Sequence, residues 1–164
     1  MEHDLRPELI EVVAPSAPVA EQVLRTYLAD VAGRYYGRPA TRQELDSALR
    51  EDPSDDLEPG RGVFLVARRC DAVLGCIGLR LLPPRIGEVT RLFVAPAGRR
   101  CGLGARLMGE VERRARELGL VELRLDTRHD LVEARRLYVA LGYREVPAFN
   151  DGRYAEHWFA KCLV

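Results

Sequence analysis

The chain has 164 residues, 47% of them hydrophobic and 30% charged, with 25 basic side chains against 25 acidic ones. That length suits one domain, expected over 1–164 with its core from about 9 to 163, burying about two-thirds of the surface of the unfolded chain. Balanced charge argues against a broad electrostatic footprint for nucleic acid or anionic lipid, so an anion site has to be local.

No apolar run approaches the ~20 residues of a membrane span, and the start Met-Glu-His-Asp-Leu-Arg-Pro lacks the pattern of a secretion signal, so the expected location is cytoplasmic. Cys70, Cys76, Cys101 and Cys162 lie far apart without histidines at ligand spacing, which predicts free thiols and no metal. Lys161 is the only lysine, a bias that reads as coding background.

Along the chain, Leu9 to Ala14 reads as a short strand closed by Pro15 and Pro18. Val19, Val23, Leu24, Tyr27, Leu28 and Val31 then recur at helical spacing. Thr41 with Glu44 is the capping-box pattern of a second helix, ended by Asp52-Pro53. An acidic loop follows to Gly62, and three strands come next: Val63 to Ala67, Val73 to Leu82 and Ile86 to Val94. The turns between them are too short for crossovers, which makes the three antiparallel.

From Leu103 the residues Leu107, Met108, Val111, Ala115 and Leu118 form one helical stripe that Gly119 stops. The opposite face carries Glu110, Glu112, Arg114 and Arg116, expected to be solvated. Val121 to Asp126 alternates as a half-buried strand, which the preceding helix makes parallel to the third of the antiparallel run. Asp130 and Glu133 suggest a second capping box, for a helix with Ala134, Leu137, Tyr138 and Leu141 inward; a last strand runs from about Tyr154 to Leu163. The sum is α/β: a mixed sheet of six or seven strands, antiparallel at first and parallel in the centre, flanked by about four helices.

The junction Arg99-Arg100-Cys101-Gly102-Leu103-Gly104-Ala105 joins a strand to a helix N-terminus, where unpaired N–H groups and the helix dipole favour an anion. Gly102 and Gly104 allow close approach, and the arginines add charge, so the expected ligand is a pyrophosphate. Arg-x-x-Gly-x-Gly after Glu-Val-Thr-Arg-Leu-Phe-Val, followed by Leu137-Tyr138 and Gly142-Tyr143, resembles the acetyl-CoA loop and tyrosine helix of the GNAT superfamily of N-acetyltransferases. The resemblance runs from about Leu9 to Leu163 and is strongest from Glu88 to Tyr143.

That resemblance implies an acyltransferase that moves an acetyl group from acetyl-CoA to an amine by direct attack on the thioester. Its carrier would meet Arg99, Arg100, Cys101, Gly102, Leu103, Gly104 and Ala105, the backbone of Leu92, Phe93 and Val94, and Ala134 and Tyr138. Tyr138 is on periodicity a core aromatic; the resemblance makes it the general acid for the departing thiolate. Glu88, eleven residues before Arg99, stands where family members with a strand glutamate carry their base, although it also fits an exposed strand start. By alternation it shares a face with Thr90 and Leu92. One departure is Leu131, where the family often has asparagine.

By the same resemblance, acceptor recognition falls to Tyr35, Tyr36, Gly37 and Arg38 and to Phe149 through Trp158. Aromatic residues there suit an amine pocket, core packing or a homodimer interface equally well, and His157 reads as a hydrogen-bonded structural histidine. The acceptor amine stays unidentified, and no nucleic-acid or membrane partner is expected. A dinucleotide-binding alternative fails because Gly-x-Gly-x-x-Gly would need a small residue at Leu107, and no Gly-Lys-Ser/Thr is present. The remaining alternative is an acyl-CoA-binding or sensor module of the same fold without catalysis.

Overall fold

A computed structural model describes residues 8–164. Its elements in order are β1 (Leu9–Val12), α1 (Pro18–Tyr36), α2 (Arg42–Glu51), β2 (Gly62–Arg69), β3 (Ala72–Leu82), β4 (Ile86–Val94), a 3-10 turn (Pro96–Gly98), α3 (Leu103–Glu117), β5 (Glu122–Thr127), α4 (Val132–Ala140), β6 (Arg144–Glu145) and β7 (His157–Cys162). The strands form one sheet of seven in the order β1-β2-β3-β4-β5-β7-β6. Only β4 and β5 pair parallel; every other neighbour is antiparallel.

Two apolar layers hold this sheet. On one face the stripe of α3, with Leu107, Met108, Val111 and Ala115 fully buried, packs with Tyr138 of α4 against Leu65, Ile77, Leu79, Leu123 and Leu125. On the other, Ala20, Val23 and Leu24 of α1 and Leu57 cover Phe64, Val66, Cys76 and Phe93. Fully burying a Leu-sized side chain is worth about 1.5–3 kcal/mol, so these two layers fix which helices flank the sheet. No residue of α2 is buried.

Local signals explain most boundaries. The Thr41 box forms as expected: Glu44 N–H donates to Thr41 Oγ1 at 3.1 Å and Thr41 N–H to Glu44 Oε1 at 2.9 Å. Helix α1 runs through Gly33 to Tyr36 and closes at Gly37, whose φ of 68° suits a residue without Cβ.

Three expectations need correction. The box at Asp130 and Glu133 does not form; α4 starts at Val132, and Leu131 before it provides no side-chain cap. Arginines take both carboxylates instead: Arg128 donates to Asp130 at 2.9 and 2.8 Å, and Arg34 of α1 reaches Glu133. The last strand begins at His157, three residues late, and pairs with the two-residue β6, too short to show alternation in sequence. Finally, Glu112 is 8% exposed and not solvated. Tyr143 Oη donates to it at 3.0 Å and Lys161 Nζ at 3.0 and 3.1 Å, tying α3 to β7 and to the end of α4.

Candidate functional site

Strand β4 carries an irregularity that sequence alternation cannot show. Thr90 pairs with Gly78 and Phe93 with Cys76, so the single residue Ile77 of β3 faces both Arg91 and Leu92. Arg91 takes up the extra length with φ of 59°. The bulge reverses the pleat: Leu92 and Val94 join Val89 on the α3/α4 face, while Phe93 turns to α1. Leu92 therefore does not share a face with Glu88, contrary to expectation.

The same bulge accompanies a parting of the sheet. Strands β4 and β5 pair only at Ile86↔Glu122, Gly87↔Leu123 and Glu88↔Arg124, although both continue beyond. Ala95 N–H donates to Leu74 O of β3 at 2.8 Å, and polar groups alternate along a strand. Leu92 and Val94 thus direct their backbone groups into the gap; Val94 O accepts from Arg99 Nε at 3.0 Å. An extended chain with amide groups could add there as a strand.

The gap leads to the N-terminus of α3. The first intrahelical bond is from Arg106 N–H to Gly102 O at 3.1 Å, leaving Leu103, Gly104 and Ala105 as donors without helical acceptors. Gly102 caps the helix with φ of 77°, and Arg100 beside it has φ of 65°. A Cβ on Gly104 would stand 3.1 Å from Leu137 Cδ2, so this glycine serves the approach of α3 to α4. Arg99 folds back toward Val94 O and Asp30, at 3.8 Å, while Arg100 stays exposed. Bare amides flanked by arginines fit the diphosphate of a nucleotide carrier.

One cleft of about 980 Å³ joins these parts. Of the expected carrier residues, Leu92, Phe93, Val94, Arg99, Arg100, Gly102, Leu103, Gly104, Ala105, Ala134 and Tyr138 line it; Cys101 does not, its thiol donating to Gly98 O at 2.9 Å. Leu131 also lines it, so an apolar side chain stands where the resemblance led one to look for an amide.

Tyr138 is both core and lining. Its ring packs against Tyr143 and Phe159, with centroids 6.1 and 5.8 Å away, and its hydroxyl makes no hydrogen bond among the described residues. Burial pushes its pKa above the ordinary 10, so it remains a neutral phenol at physiological pH.

Glu88 lines the opposite side of the gap and pairs with Arg80 at 3.2 Å. Arg80 also donates to Asp56 at 2.7 Å and to Pro53 O at 3.3 Å. The buried Arg91 holds Asp52 through its carboxylate at 2.9 Å and its carbonyl at 3.0 Å. Two arginines for which the sequence suggested no role thereby pin residues 52–56 beside the cleft. Arg128 does the same for its roof, donating to Val31 O of α1 at 2.7 Å.

Tyr35, Tyr36 and Tyr154 stand at the mouth of the cleft. Phe149, His157 and Trp158, the other aromatic candidates, do not line it. Phe149 lies under Arg124 at 5.3 Å, His157 bonds His129 at 2.9 Å and also Glu145, and Trp158 Nε1 donates to Asn150 Oδ1 at 3.0 Å. Asn150, inside the segment expected to meet the acceptor, and Asp126, for which the sequence suggested no acceptor role, do line it. No group of three or more potential metal ligands occurs among the described residues, and no helix of them is long and apolar enough to cross a membrane.

Comparison with known proteins agrees with this geometry. The family model described as "Acetyltransferase (GNAT) family" matches residues 26–143. An uncharacterized N-acetyltransferase of Schizosaccharomyces pombe is 33% identical over 111 residues, spanning 66% of this chain and 68% of that protein. An IAA acetyltransferase of Azospirillum brasilense is 43% identical over 65 residues, 39% of this chain and 42% of that one. Among solved structures, PaiA N-acetyltransferase from Thermoplasma acidophilum in complex with coenzyme A shares the fold, with a TM-score of 0.73, 20% identity and coverage of 94% and 99%.

Proposed function

The chain belongs to the acetyltransferase (GNAT) family, and from that premise we propose that it uses acetyl-CoA to acetylate a primary amine by direct attack on the thioester. The observation that carries this reading is the parting of β4 from β5 beside a bulge, continuous with the bare N-terminus of α3. Acetyl-CoA would supply the activated acyl carbon, and the chain's own groups do the rest.

Leu103, Gly104 and Ala105 present amide hydrogens to the diphosphate, with Arg100 adding charge. Leu92 and Val94 offer backbone partners to the amides of the pantetheine arm. The two faces of the sheet then divide the chemistry. Tyr138 projects from the α3/α4 side, and Glu88, tied to Arg80 and Asp56, belongs to the α1 side. An amine entering from the Glu88 side gives up its proton to that carboxylate, directly or through water, while Tyr138 donates to the departing sulfur on the other. Thiol basicity also rises in apolar surroundings, which brings the thiolate closer to the buried phenol as a proton acceptor.

The test is release of free CoA thiol over a panel of amines. Tyr138→Phe lowers kcat at least about tenfold, the low end of general acid–base contributions being larger still, and changes the KM for acetyl-CoA by less than twofold. Glu88→Gln lowers kcat by at least about tenfold, and an unchanged rate would exclude it as the base. Amine-independent binding of acetyl-CoA, with no turnover on any amine, would instead favour the binding-module reading.

A further inference from the structure

We infer that Asp126 is the docking carboxylate for the acceptor, and that the acceptor is a positively charged primary amine on a flat apolar body, not an amino acid whose carboxylate flanks its amine. This deepens the acetyl-transfer reading and rests on it.

Asp126 lies two residues beyond the last β4–β5 pair, Glu88↔Arg124, so in register it stands level with Thr90, next to the bulge. Its neighbours Leu125 and Thr127 are buried, Leu125 in the α3/α4 layer, and the pleat turns Asp126 to the other face, the side from which the amine would enter.

The pairing of charge singles it out. Asp30, Glu44, Glu51, Asp52, Glu88 and Glu133 line the same cleft, and each has an arginine within 4.0 Å. Asp126 has no cation partner among the described residues. Nearby Arg124 is spent on Glu122 at 2.6 Å, and Arg128 on Asp130 at 2.8 Å.

The partner Asp126 does have is neutral and fixed. Asn150 Nδ2 donates to Asp126 Oδ2 at 2.9 Å. Asn150 Oδ1 accepts from Trp158 Nε1 at 3.0 Å and Gly152 N–H at 3.1 Å, which decides the orientation of the amide. The result is an oriented carboxylate with its negative charge uncompensated, a match for an ammonium.

The body of the acceptor is read from the mouth. Tyr35, Tyr36 and Tyr154 are 56%, 43% and 42% exposed, yet pack edge to face with centroids 5.4 and 5.3 Å apart. A flat apolar group adds to such a wall. Arginines lie over these rings, but each has an acid beside it, Arg38 with Glu44 and Arg128 with Asp130 at 2.8 Å and the exposed Arg153 with Glu51 at 4.0 Å, so their charge is already offset.

The experiment titrates 2-phenylethylamine calorimetrically into the full chain saturated with CoA, with phenylalanine as the matched amino acid. Wild type should bind the amine at least about tenfold more tightly than phenylalanine, and Asp126→Asn should weaken amine binding at least about tenfold, the loss of one charge-assisted contact, with an unchanged Kd for acetyl-CoA. Equal binding of amine and amino acid, no binding of the amine at millimolar concentration, or an Asp126→Asn Kd within twofold of wild type would overturn the proposal. In all three cases a normal acetyl-CoA titration leaves the acetyl-transfer reading standing, whereas absence of acetyl-CoA binding would undo that reading itself.

Discussion

Lys161→Met tests the packing that carries the cleft. Lys161 donates to both oxygens of Glu112, at 3.0 and 3.1 Å, and to the end of α4 at Leu141 O, at 2.8 Å. The substitution keeps the bulk of the side chain and removes these bonds, leaving Glu112 with Tyr143 and with Arg116 at 3.7 Å. Breaking a fully buried pair from one side costs about 3–5 kcal/mol. Here the Lys161 side chain is 24% exposed and Arg116 remains, so about 2 kcal/mol is expected. For a chain of this size that corresponds to a fall in Tm of about 4–8 °C. Urea unfolding should show a lower midpoint at unchanged slope, and Glu112→Gln combined with Lys161→Met should lose less than the sum of the single changes. A loss below about 0.5 kcal/mol, or simple additivity, would refute the claim that this pair is buried and coupled.

Two further substitutions probe the carrier end. Gly102→Ala meets nothing within 4 Å, so its cost is the φ of 77° alone, about 1–2 kcal/mol by thermal unfolding; a neutral outcome would mean the cap has another conformation. At the start of β1, the Arg106 guanidinium beside Glu8, 2.6 Å away, holds its carboxyl down at about 2 against an ordinary 4.5. A lowered folded pKa contributes stability that is complete above pH 4.5 and lost as pH falls toward 2. Glu8→Gln should therefore be less stable than wild type at pH 7, the gap in urea midpoint shrinking below pH 4.5; a gap constant with pH would contradict the pairing.

The sheet, its mixed direction and its four helices were legible because each rests on a local signal: alternation in β5, the apolar stripe of α3, the Thr41 box and short turns that force antiparallel pairing. The junction at the start of α3 was legible because Gly102 and Gly104 mark the end of a loop and the opening of a helix. What escaped was set by tertiary partners. Asp130 and Glu133 have the spacing of a cap, but Arg128, two residues before Asp130, takes the first and Arg34, 99 residues from Glu133, takes the second. Glu112 looks solvated on a helical wheel because its partners Tyr143 and Lys161 lie 31 and 49 residues away. The bulge at Arg91 left no mark in the pattern of β4, and with it went the face of Leu92 and the position of Asp126 across the gap.

The central claim is that particular backbone amides hold the carrier. Amide nitrogen–proton NMR spectra of the isotopically labelled chain, followed during addition of coenzyme A, test it residue by residue. Leu92, Val94, Leu103, Gly104 and Ala105 should show the largest shifts, with β1 and β2 unmoved. Saturation that leaves those five amides in place, or shifts gathered at another surface, would contradict it.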